Sequence, residues 1–140
     1  MYRNGLWVGT TAGLAIGIFL WIVEKATGIK VYTLLMNVDF IPWIGKIAWP
    51  FYVEWLFHLI ISWGIGMIFV YLLRNSMIDS HSHQWSLALT LATLAGLTYF
   101  PLTALAIKET PAIDSISAIF FWSAGHGLYA VVMKLTYRDS

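Results

Sequence analysis

Long apolar stretches separated by short polar ones run the length of the chain. The first goes from Leu6 to Val23 and stops at Glu24-Lys25. The second extends from Trp49 to Leu73 and stops at Arg74, with Pro50 suited to a first helical turn. A third covers Trp85 to Ile107 and a fourth Ile116 to Leu135. About 20 apolar residues carry a helix across ~30 Å of hydrocarbon, so the pattern predicts transmembrane helices over about 6–24, 49–73, 85–107 and 116–135. The polar start Tyr2-Arg3-Asn4 is like the head of a signal peptide, but no small-residue cleavage site follows the first run. That run reads as a retained helix. Val31 to Lys46 is apolar yet broken by Asn37, Asp39, Pro42 and Gly45. Too short to span, it reads as an interfacial or re-entrant segment anchored by Tyr32, Trp43 and Trp49 at headgroup depth. The remaining loops, Asn75 to His83 and Lys108 to Ser115, are brief, and there are no linkers or internal repeats. The expected fold is all-α: one domain over 1–140, a polytopic membrane protein of four helices with a short segment between the first two.

Composition agrees with that reading and removes several functions. Only 11% of the 140 residues are charged and 59% are hydrophobic, with a mean hydropathy of +0.74. An ordinary soluble chain is roughly 25% charged, so this one cannot clothe a water-facing globule. A net charge of +1 offers no field for nucleic acid. Zero cysteines exclude disulfides, thiolate catalysis and iron–sulfur ligation. No nucleophile elbow, P-loop, HExxH or dinucleotide fingerprint is present, and little chain is left for a soluble catalytic domain, so an enzyme is not expected.

Four spans put both termini on one side with the middle loop. Arg3, Arg74, Lys134 and Arg138 fall there; Lys25, Lys30, Lys46 and Lys108 fall on the other side. The positive-inside rule is thus tied. Lys134 and Arg138 directly follow the last span, which favours cytoplasmic termini.

Small residues mark where helices approach closely. Gly5, Gly9, Gly13 and Gly17 repeat every four residues, flanked by Ala12 and Ala15. Ala88, Ala92 and Gly96 repeat the device in the third span, and Ser123 and Gly127 in the fourth. Such stripes replace the hydrophobic effect, which lipid cannot supply, with close dispersion contacts. The partner is either another helix of this chain, a second copy, or a larger membrane protein. Pro101 should bend the third helix, with Thr98 or Thr103 satisfying a freed carbonyl. Most other aromatics lie near span ends, as a belt rather than a ligand cage; Trp63 and Trp122 lie deeper.

Chemistry inside the membrane is confined to a few groups. Glu54, His58 and Ser62 recur at four-residue spacing on one face of the second span. His126 lies within the fourth span and Glu24 ends the first. Ionisable groups at such depth face the bundle interior and find partners. Three readings stay open: a polar network that fixes register, a proton- or ion-handling site in which Glu54 tunes the titration of His58, or a metal or haem site. Glu54 with His58 is a plausible ligand pair, and His58 with His126 could be axial haem ligands. No cofactor is expected, with haem and metal left open. In the middle loop, Asp79-Ser80-His81-Ser82-His83 could hold a surface metal, although loop histidines are usually just solvated.

The order of these motifs resembles the YagU-like family of small bacterial inner-membrane proteins. Gly5-Leu6, Gly9 and Ala12-Gly13 ending at Glu24 resemble its glycine-rich first helix closed by a glutamate. His58 to Gly66 resembles its histidine-led second helix. Pro101-Leu102, Glu109-Thr110-Pro111 and Gly125-His126 resemble its later landmarks. The family's Pro-Pro-Arg stretch after the glutamate is missing, Ala26 to Asp39 standing in its place. The resemblance implies a bacterial inner-membrane bundle with a broad link to acid tolerance. Its two helix histidines map to His58 and His126 and its glutamate to Glu24. The expectation is a non-enzymatic, oligomeric bundle with Glu54, His58 and His126 as an interior pH-responsive site. The alternative is an accessory subunit docking a larger partner through its glycine face.

Overall fold

The first apolar run becomes α1 (Tyr2–Thr27) and extends past both of its ends. At its C-terminus the Thr27 hydroxyl donates to the Val23 carbonyl at 2.7 Å. Gly28 then takes φ 75°, a left-handed turn that only glycine adopts without strain, and its amide returns to the Glu24 carbonyl at 2.8 Å. The computed structural model describes residues 2–78 and 80–138, so Met1, Asp79, Asp139 and Ser140 lie outside it. After α1 come α2 (Val31–Met36), a 3₁₀ turn at Ile44–Lys46, α3 (Phe51–Asn75), α4 (His81–Gly96), α5 (Tyr99–Leu105) and α6 (Ile116–Thr136). Among the described residues there is no strand. Four helices are long and apolar enough to cross a membrane, with α4 and α5 together forming the third span, His81–Leu105. The chain is an all-helical, multi-pass membrane protein.

Two helix starts are set by serines that the apolar pattern alone does not mark. Ser80 accepts from the His83 amide at 3.1 Å, and Ser115 from the Ala118 amide at 3.4 Å. The first of these caps draws His81 and His83 out of the expected loop into α4.

Pro101 bends the third span, but the break falls one turn earlier. A proline ring collides with the carbonyl four residues back, here Leu97, and the helix is interrupted at Leu97-Thr98. Thr98 donates to the Ala95 carbonyl at 2.5 Å and Thr103 to the Tyr99 carbonyl at 2.9 Å. The Leu97 carbonyl itself accepts from the Phe100 amide at 3.4 Å, so neither threonine takes the carbonyl that the proline frees.

α2 is a wedge rather than a surface helix. Val31, Leu34 and Met36 are buried, and it packs mainly on α1, with lesser contact to α3 and α6. Tyr32, expected as a headgroup anchor, turns inward instead: its hydroxyl accepts from Trp55 Nε1 at 2.9 Å. Trp43 instead points outward. It is 83% exposed and has φ 71°, an uncommon backbone region for a bulky residue. Trp49 is half-buried and donates from its indole to the Ile44 carbonyl at 2.9 Å.

The helices pack as an open row. α1 lies against both α3 and α6, and α4 lies against the far side of α6. α3 and α4, at the two ends of the row, barely touch. The α1–α3 seam is the glycine stripe. A side chain on Gly9 would meet the Ser62 carbonyl at 2.5 Å and Trp63 Cα at 2.8 Å. Gly5 faces Met67, Gly13 faces Ser62, and Gly17 is covered by the Trp55 ring. Gly66 returns the favour against the backbone of Gly5 and Gly9. The stripe is therefore occupied by this chain's own α3, the first of the three partners that the sequence leaves open. Ala92 and Gly96 likewise serve internal packing: Ala92 is buried, and Trp122 on α6 donates to the Gly96 carbonyl at 2.8 Å. Gly127 has open space around it.

Candidate functional site

A glycine stripe does more than let backbones approach. With no side chain over them, its carbonyl oxygens can accept a second hydrogen bond besides that of their own helix. α3 supplies donors at matching intervals, since the two helices run antiparallel and both step by four residues. His58 Nε2 donates to the Gly13 carbonyl at 3.0 Å, and one turn on Ser62 Oγ donates to the Gly9 carbonyl at 2.6 Å. Trp63 Nε1 adds a third bond, to Thr10 Oγ1 at 2.8 Å. Because the Ser62 proton is used on Gly9, the neighbouring Tyr129 hydroxyl, 2.9 Å away, donates to Ser62 Oγ. The network thus joins α1, α3 and α6.

His126 on α6 bonds differently. Its Nδ1 lies 2.8 Å from the Trp122 carbonyl of its own helix, so that nitrogen carries the proton. Its ring stacks at a tilt on Trp122, with centroids 4.8 Å apart. The side chain is 7% exposed, and Nε2 has no hydrogen-bond partner among the described residues. The same holds for Nδ1 of His58. Each imidazole thus has one nitrogen engaged and one bare.

The two histidines share a cavity of about 230 Å³. Ser62, Tyr129 and Thr98 add hydroxyls to its wall, and the remaining lining, including Ile16, Leu35, Ile65 and Leu102, is apolar. The cavity occupies the gap left where α3 and α4–α5 barely touch. Ile61 at its edge is 64% exposed, so the opening is sideways, toward lipid. A second hollow of about 360 Å³ lies between α4–α5 and α6, and Trp122 with His126 line both.

Other predicted site residues go elsewhere. Glu54 is not the charge partner of His58. It stands in the first turn of α3, where a carboxylate complements the helix dipole, and pairs with Lys108 Nζ at 3.6 Å. Among the described residues no carboxylate forms an ion pair with either cavity imidazole. Glu24 also leaves the site: its two oxygens accept from the Thr33 amide and hydroxyl, each at 2.7 Å, and so cap α2. His81 lies 3.1 Å from Lys134 Nζ, which makes it a poor cation ligand. Asp79 of that motif lies outside the described residues. Among the described residues no three His, Asp or Glu side chains are grouped as a metal site would need. Nor does the haem reading fit the geometry. Nε2 of His58 is committed to Gly13, and the space between the histidines falls below the ~300–1,000 Å³ of small-molecule pockets. Tyr129 was missed from sequence, although it follows His126 by three residues and so shares its helical face.

On the side opposite the termini, Asp39 clips two loops together. Its carboxylate accepts from the Lys108 amide at 2.6 Å and from the Ile107 amide at 3.1 Å, while Asn37 donates to it at 2.8 Å. Partial burial pushes its pKa up, but these amide donors and the Lys108 charge outweigh that and hold it below the usual carboxylate value. With the Glu54–Lys108 pair, this fixes the end of α5 over the segment that joins α2 to α3.

Comparison with family models, with curated proteins and with solved structures finds no match to this chain.

Proposed function

We propose that this is a non-enzymatic, pH-responsive membrane protein in which His58 and His126 take up protons inside the laterally open cavity and thereby control passage of protons or small ions. The observation that carries the reading is the shared cavity itself, with two imidazoles each offering a bare nitrogen. Its volume suffices for several waters at ~30 Å³ each, and its hydroxyls could hold them. Imidazole is the side chain whose ordinary titration falls between pH 5 and 8. Beside the two histidines the cavity wall carries one further titratable side chain among the described residues, Tyr129 on α6, while Glu54, one turn before His58 on α3, is paired with Lys108 outside it. An imidazolium formed there lacks a paired carboxylate and is costly while dry. Charging either histidine thus favours water entry and parting of α3 from α4–α5, whose contact is slight.

Kinship with the YagU-like proteins, and with it a bacterial inner-membrane location and a part in acid tolerance, belongs to the same proposal. It rests on the order of the motifs around Glu24, His58, Pro101 and His126. The test is ion flux in proteoliposomes loaded with a pH-sensitive dye. The wild-type leak should rise as pH falls from 7 to 5, and His58→Gln with His126→Gln should abolish the rise. A wild-type leak indifferent to pH, or one that survives the double substitution, would sink the reading.

A further inference from the structure

The chain has three arginines, and all three line one groove. Arg3 belongs to the first turn of α1, Arg74 to the last turn of α3, and Arg138 follows α6. They come together at the end of the bundle where the first and last helices meet, around a hollow of about 690 Å³. The opposite end carries lysines alone: Lys25, Lys30, Lys46 and Lys108. That segregation matters because the two cations differ. A guanidinium offers a planar fork that matches phosphate oxygens two at a time, whereas an ammonium is a strongly hydrated point charge.

Arg138 is held in place rather than trailing. Asn4 Nδ2 donates to its carbonyl at 2.6 Å, the hydroxyls of Thr11 and Thr136 bond at 3.0 Å, and Tyr137 packs edge-on to Phe69 with centroids 5.7 Å apart. Arg3 stands where a helix N-terminus, with its free amides and positive dipole end, favours an anion instead. Three guanidinium groups and a helix N-terminus thus converge on one hollow. Below the arginines the same groove is lined by Leu6, Trp7 and Thr10 of α1. Leu6 and Trp7 are exposed, so an apolar path leads from the charged mouth toward the bilayer core.

We propose that this groove binds the phosphate headgroup of an anionic phospholipid, with the arginines on the phosphodiester and an acyl chain along Leu6 and Trp7. Basic pockets between membrane helices recognise lipid headgroups in this way. A free phosphate would use the arginines but not the apolar path, and a zwitterionic lipid carries its own cation to the site and gains little from three more. Charge and chain together define the occupant.

The experiment uses the purified chain in uncharged detergent, titrated with short-chain phosphatidylglycerol, with phosphatidylcholine of the same chain length, and with inorganic phosphate. Thermal midpoint and retained lipid in native mass spectrometry are followed together. Phosphatidylglycerol should raise the midpoint to saturation and stay bound, while the other two leave it unchanged. Arg3→Gln with Arg74→Gln and Arg138→Gln should raise the half-saturating concentration at least tenfold, and Lys25→Gln with Lys30→Gln should not move it. If the triple variant does not fold, Arg3→Gln and Arg138→Gln taken singly should each weaken retention. Equal shifts with phosphatidylcholine, a shift reproduced by inorganic phosphate, or retention unaffected by the arginine substitutions would each overturn the proposal.

Discussion

Gly9 and Gly64 accept the same substitution with opposite consequences. A Cβ at Gly9 would stand 2.5 Å from the Ser62 carbonyl oxygen and 2.8 Å from Trp63 Cα, both backbone atoms that cannot swing aside. Ordinary contact begins at 3.4 Å, so Gly9→Ala must drive α1 and α3 apart by roughly an ångström. Overpacking of this kind costs about 1–3 kcal/mol. Separation also stretches the 2.6 Å bond from Ser62 to Gly9, and an interhelical bond in a membrane protein contributes about 0.6 kcal/mol on average and up to ~1.7. Alanine's better helix propensity offsets about 1 kcal/mol. The expected net loss is about 1–4 kcal/mol. At Gly64 nothing lies within 4 Å, so Gly64→Ala should leave stability unchanged or raise it by up to ~1 kcal/mol. Equilibrium unfolding in mixed micelles, with increasing SDS and tryptophan fluorescence as the signal, measures both. Gly9→Ala proving as stable as Gly64→Ala would mean that the stripe does not face α3.

Tyr129→Phe removes the donor to Ser62 Oγ and should lower stability by about 0.6–1.7 kcal/mol in the same assay; a wild-type value would show that the three-helix network does not form. Lys108→Gln breaks a half-exposed ion pair of 3.6 Å, so the expected loss is under ~1 kcal/mol and should vanish in high salt. Asp39→Ala uncovers the amides of Ile107 and Lys108 and should speed their hydrogen exchange about tenfold. Because the folded pKa of Asp39 is depressed, its stabilisation is fully present above the unfolded value of about 3.9 and is lost as pH falls through the lower folded one. Wild type and Asp39→Ala should therefore differ in thermal midpoint by a constant amount from pH 7 to about 5 and converge only at stronger acidity. Convergence already near pH 6 would refute the assignment.

The four spans are legible because membrane hydrocarbon leaves only one reading of a long uncharged run. Their ends are less so. Arg3, Asn4 and Lys25 continue α1 beyond its apolar stretch because long or small polar side chains at a helix end can reach the interface without unwinding it. Spacing and the cost of a polar group in a membrane single out His58, Ser62 and His126, and all three line one cavity. Four-residue spacing pairs Glu54 with His58, yet it is Lys108 that reaches Glu54, from a loop that no periodicity relates to α3. Glu24 reads from the sequence as an interior group, but the Thr33 amide and hydroxyl of α2 take both of its oxygens. Helical spacing tells which residues share a face; it does not tell which of them a distant loop reaches.

The row order of the helices has a consequence for biosynthesis. α1 is sandwiched between α3 and α6, and α4 is held chiefly by α6, so the span translated after the other three is also the one that unites them. Until α6 enters the bilayer, α1 and α3 can zip along their glycines, but α4 has little to hold it and Ser62 lacks its Tyr129 donor. The central contact joins segments at opposite ends of the described chain, a topology of high contact order that closes late. A ribosome stalled before the fourth span would leave a hairpin-like pair and a stray third helix in the membrane, a natural substrate for membrane proteases.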